Sequence, residues 1–187
     1  AAVQEEGPGL GGQVATYKIH PDIAFAFDVG HGWAEDLPED GMLKFGGGLA
    51  LSIGGRFHPG MVKKFISICE RYGIRYQLEP TPAASSTDAE SIQTNRDGVP
   101  VLLISIPLRY MHTGVETGCV TDIENIGKAV AHMISEIDQE NWEGLLCYGK
   151  RYANAAALPA GRRKFASISQ RNLSASDART KSTIWAT

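Results

Sequence analysis

Residues 99–112 read VPVLLISIPLRYMH. The first eight are apolar at both parities apart from Ser105, which predicts a strand covered on both faces at the centre of a sheet. Its C-terminal side then delivers Arg109 and His112. Working outward, residues 23–29 (IAFAFDV) form a second compact apolar run that ends by presenting Asp28, and residues 49–53 (LALSI), bracketed by glycines, form a third. Residues 74–78 (IRYQL) alternate as a further strand.

Between these runs the spacing becomes helical. From Pro59, the residues Met61, Val62, Phe65, Ile66, Ile68, Cys69 and Tyr72 lie on one stripe, with Gly73 as a stop and His58 placed to cap the start. A short helix is expected after Ser86, capped by Thr87 or Asp88. A long one follows from Asp122 as its cap to about Ile137, with Ile123, Ile126, Val130, Met133, Ile134 and Ile137 on one side. Strands and helices in alternation predict an α/β fold, an α/β/α sandwich with a mixed, largely parallel sheet.

The composition supports this class and excludes others. With 187 residues, 43% apolar and 21% charged, the chain is long enough for a sizeable core and too ordinary for a collagen-like or disulfide scaffold. No apolar run approaches the roughly 18 residues of a membrane span, so no membrane partner is expected. Charge divides the chain. Residues 1–148 carry 10 Lys/Arg against 20 Asp/Glu, whereas residues 149–187 carry 8 against 1. The division predicts a folded acidic body over 1–148 and a basic, disordered tail over 149–187.

Three scattered cysteines, Cys69, Cys119 and Cys147, form no metal knuckle and suggest a reducing, cytoplasmic setting. The opening AAVQEE has no basic stretch or apolar core of a signal peptide and, without Met, reads as cut from something longer.

Candidate chemistry collects at strand ends. Glu5 and Glu6 follow residues 1–4, read as a short strand; Asp28 ends the 23–29 run; His112 follows the 99–106 run. Carboxylates with an imidazole suit zinc, cobalt or manganese.

The order of the motifs adds to this. QEE at 4–6 followed by GLG at 9–11, FDV at 27–29 with DLP at 36–38, FHP at 57–59, YQ at 76–77, TDA at 87–89, and ISIPLRYMH at 104–112 with Glu116 together resemble one family. It is the group of glutamyl and deblocking aminopeptidases, which includes the tetrahedral aminopeptidases and proteins labelled endoglucanase M. The resemblance runs from residue 1 to about residue 140. It implies a peptide substrate, a homo-oligomer when full-length, and two divalent metal ions per complete site, zinc or cobalt. By position, Glu5 resembles the general base, Glu6 and His112 the ligands of one metal, and Asp28 a ligand of the other. Asp36, Asp88, Arg109 and Glu116 fall in the same motifs as substrate contacts or structural supports.

The resemblance also implies what to expect of this chain alone. The family takes a His and a bridging Asp from a segment before the Glu-Glu pair, and a small inserted domain for subunit contacts. The sequence begins four residues before that pair, so weak or absent activity in isolation is the expectation. Two alternatives are a non-catalytic remnant, from a different class, whose basic tail binds nucleic acid or an acidic partner, and, within the hydrolases, a related metal-dependent enzyme of the endoglucanase type. A solvated tail is favoured over one that binds nucleic acid.

Overall fold

The computed structural model describes residues 2–7, 9–35, 41–82, 84–137 and 145. The elements in order are α1 (Leu10–Ile19), β1 (Ala24–His31), β2 (Leu49–Ile53), α2 (Pro59–Arg71), β3 (Tyr76–Pro80), α3 (Asp88–Gln93), β4 (Val101–Arg109), β5 (Thr117–Gly118) and α4 (Val120–Glu136). The sheet order is β1-β4-β2-β3, with β5 on the end of β4. β1 runs parallel to β4, and β2 parallel to β3, while β2 meets β4 antiparallel. The sheet is therefore mixed, and the run at 99–106 supplies its central strand, as expected.

Each face has its own core. On one, Leu49 and Leu51 of β2 and Leu102 and Ile104 of β4 pack against Met61, Phe65 and Ile68 of α2 and Ile126, Val130 and Met133 of α4. On the other, Ala26 of β1 and Val101 and Leu103 of β4 pack against Ala89 and Ile92 of α3. That second face turns polar further along: Asp28 pairs in register with Ser105, and Ser52 with Glu79. A hydrophobic floor thus gives way to a polar shelf near the end of β1.

α2 begins as its sequence requires. His58 Nδ1 accepts the Met61 N–H at 3.4 Å and Pro59 occupies the first turn. Thr87 caps α3 by accepting the Ala89 N–H at 3.2 Å.

Three local expectations change, and one helix was not expected at all. Residues 3–7 are a turn and not a strand: Gln4 takes φ +61°, and the Gly11 N–H donates to Val3 O, folding the segment onto α1. α1 itself was not legible, because it buries Gly12 and Thr16 and exposes Val14, Tyr17 and Ile19. The strand expected at 74–78 starts at Tyr76, since the Ile74 N–H is used to close α2 on Cys69 O. Asp122 is not the cap of α4, which begins two residues earlier behind Cys119. Instead it is fully buried and accepts the Gly48 N–H at 3.0 Å. The tail proposed for 149–187 lies outside the described residues.

Candidate active site

The Glu5-Glu6 turn is held against α1 by the bond from the Gly11 N–H to Val3 O, 2.9 Å long. That approach needs glycine, because a Cβ at position 11 would lie 2.4 Å from the same oxygen. His112 reaches the turn from the other end of the sequence. After β4, Tyr110 and His112 adopt φ +59° and +61°, and the His112 N–H donates to Glu116 Oε1 at 2.6 Å. This turn brings His112 Nε2 to 3.5 Å from Glu6 Oε2, with both side chains open to solvent.

Asp28 stands at the end of the polar shelf, half-buried, and accepts the Val29 N–H at 2.7 Å. Burial is the main reason its carboxyl is pushed up from the usual range; the Val29 hydrogen bond opposes this, and the charges of Asp88, Glu6 and Glu79 add to it. Glu5 is pushed up too, chiefly by burial, then by Asp28, Glu6 and Asp88, with His112 pulling the other way. Five acids, Glu5, Glu6, Asp28, Glu79 and Asp88, and one imidazole therefore share a field. Asp88 is only 2% exposed, with neither oxygen hydrogen-bonded among the described residues, and burial raises its carboxyl as well. Its Oδ1 fits beside α1 because position 12 is glycine.

The other expected residues separate. Arg109 Nε donates to Trp33 O at 2.8 Å, and its guanidinium lies 4.4 Å over the Phe45 ring. With Met42 and Lys44 these residues line a cavity of about 490 Å³ beyond the ends of β1 and β4. Glu116 braces the His112 turn through the bond already given. Asp36 lies outside the described residues. Among the described residues no group of three or more His, Cys, Asp or Glu side chains is placed to hold a metal ion.

Three residues on the shelf went unread in the sequence: Ser52, Ser105 and Glu79. The available signal was a single hydroxyl in each of two otherwise apolar strands, which a buried strand tolerates only with a partner.

A family model described as M42 glutamyl aminopeptidase matches residues 1–128. The chain belongs to this family. The M42 chain is 33% identical over 139 residues to a lysyl aminopeptidase of Pyrococcus furiosus, a match covering 73% of the chain and 40% of that protein. Among solved structures it is similar to a TET aminopeptidase from a marine-sediment archaeon, Thaumarchaeota archaeon SCGC AB-539-E09, with TM-score 0.71 and 28% identity over 78% of this chain and 42% of that one. It is also similar to the Pyrococcus horikoshii TET1 peptidase, which can assemble into a tetrahedron or a large octahedral shell, with TM-score 0.58 and 28% identity over 73% of this chain and 40% of that one. The M42 chain thus spans about 40% of the length of the relatives it matches.

Proposed function

We propose that this chain carries part of the active site of a metal-dependent aminopeptidase that removes N-terminal residues from peptides. The observation that carries the reading is the meeting of Glu6 and His112 at 3.5 Å, more than a hundred residues apart in sequence, beside a Glu5 whose carboxyl is raised. Family membership supports it.

Donor type fits zinc or cobalt: an imidazole nitrogen and a carboxylate face each other, and the charges of Asp88, Glu6 and Glu79 gather around Asp28. Among the described residues the donor number falls short of a full sphere, with Glu6 and His112 for one ion and Asp28 for the other. When bound, the two ions would lower the pKa of water and polarise the scissile carbonyl.

The chain's own groups supply the rest. Glu5 takes the proton from the attacking water and returns it to the leaving amine, a role served by a carboxyl raised above its usual range. The acidic field of Glu5, Glu6, Asp28 and Asp88 also attracts the positively charged amino terminus of a peptide. Arg109 and Glu116 hold the loops that frame the site.

A chain that offers only the donors supplied by the described residues is expected to be weakly active or inactive. The assembly of the TET1 relative supports a homo-oligomer for a full-length version.

The test is release of the first residue from short peptides by a longer version that completes the ligand set, with zinc or cobalt and then with a chelator. Turnover should vanish with the chelator and fall by about 10²–10⁴-fold in Glu5→Gln. Unchanged turnover in Glu5→Gln removes Glu5 from the role of base.

A further inference from the structure

The polar shelf is held by one side chain. Glu79 Oε2 accepts from Ser52 Oγ of β2 at 2.8 Å and from Ser105 Oγ of β4 at 2.9 Å. Both serines are almost wholly buried, at 0% and 2% exposure, so each hydroxyl depends on this carboxylate for its partner. The second oxygen, Oε1, shares with Leu43 the space left by a missing side chain on β1: a Cβ at Gly30 would stand 2.6 Å from Leu43 Cδ1 and 2.8 Å from Oε1. Glu79 therefore touches β1, β2 and β4 from its place on β3.

Two of those contacts flank Asp28. Ser105 is its register partner across the ladder, and Gly30 is two residues on, on the same face of the strand. β4 then continues into the turn that carries His112. A carboxylate fastened to β4 and filling a notch in β1 fixes the spacing between the strand that presents Asp28 and the strand that leads to His112.

We propose that Glu79 is a positioning residue for Asp28: bonded to Ser52 and Ser105 and seated on Gly30, it locks the end of β1 against β4. This rests on the role proposed for Asp28 as a metal ligand. Supports behind a first layer of ligands commonly govern affinity, and their loss costs about 10–100-fold.

The test uses the full chain in four forms: wild type, Glu79→Gln, Glu79→Ala and Gly30→Ala. Two quantities are measured, the Val29 amide resonance in the metal-free protein and the affinity for Co²⁺ from its visible absorption. The Val29 N–H bonds to Asp28, so its resonance reports on the placement of Asp28 without any ion. Glu79→Gln keeps the shape and an acceptor oxygen, and should leave the Val29 resonance in place. Glu79→Ala should shift it and weaken Co²⁺ binding by about 10–100-fold, and Gly30→Ala, read by Co²⁺ affinity alone because it adjoins Val29, should weaken binding likewise.

A Glu79→Ala protein with lower thermal stability but an unmoved Val29 resonance and unchanged Co²⁺ affinity overturns the proposal, since Glu79 would then be a structural support only. If the wild type takes up no Co²⁺, the metal reading fails by itself, and the Val29 resonance alone decides for or against Glu79. Should Glu79→Ala not fold, Ser105→Ala removes one of the two hydrogen bonds and is read the same way.

Discussion

Asp28 illustrates how a residue can be costly to the fold and suited to the site. Its folded carboxyl is raised, mainly by burial, above the value it has in the unfolded chain. The folded state therefore binds the proton more readily, and the stability this confers is fully present below the unfolded value and lost as pH rises through the folded one. Urea unfolding across the carboxylate range should show that loss, and Asp28→Asn should reduce it, leaving the shares of Glu5 and Asp88, while matching or exceeding wild-type stability at neutral pH. Glu136 has the opposite sign. Hydrogen bonding from Lys64, with the charges of Lys64 and Arg71, holds its carboxyl below the usual range, so its contribution is present at neutral pH and lost as pH falls. The two slopes can be separated by Glu136→Gln, which removes only the acid-side loss. Glu5, Glu6 and His112 stood out as candidates because they sit in short motifs whose order resembles a known family. Glu79 could not, since its meaning depends on Ser52, Ser105 and Gly30, which only the sheet brings together.

Among the elements, those with a regular apolar stripe were legible and those without one were not. α2 and α4 bury most of the positions that the 3.6-residue period selects, such as Phe65 and Met133, both fully buried, but Ile123 and Ile134 at the edges of the α4 stripe and Tyr72 at the end of α2 stay exposed. Phe65→Ala should destabilise by about 3–5 kcal/mol in denaturant unfolding, because the surrounding side chains come from both helices and the sheet and close only partly over the gap. Thr87→Ala should cost about 1 kcal/mol through loss of the α3 cap. α1 inverts the usual pattern, placing small or polar residues inward and large ones outward, so no periodicity argument finds it. What forms it is the fit of Gly12 against Asp88 and the tie from Gly11 to Val3. Strand ends were misjudged by two or three residues for a related reason. A helix-closing bond at Ile74 and the antiparallel addition of β5 to β4 are decided by neighbours in space.

At the scale of the whole molecule, the sequence announced α/β but not strand order, since the ladder joins β4 to both β1 and β2 and reverses direction between them. The acidic field around Glu6, His112 and Asp28 has a consequence for the whole chain: an ion that binds only the folded form must stabilise it. Zinc at about 100 times its dissociation constant should add about 2.7 kcal/mol, measurable as a rise in melting temperature that a chelator reverses. No rise at any zinc concentration would remove the metal reading from this chain. The pairing of Ala24 with Val101 also sets a timetable. β1 leaves the ribosome before its partner in the ladder, and at about 5–20 residues per second the interval takes about 4–15 s to synthesise. For that time an apolar strand containing Phe25 and Phe27 has no ladder partner of its own, and chaperones and aggregation compete for it before the sheet exists.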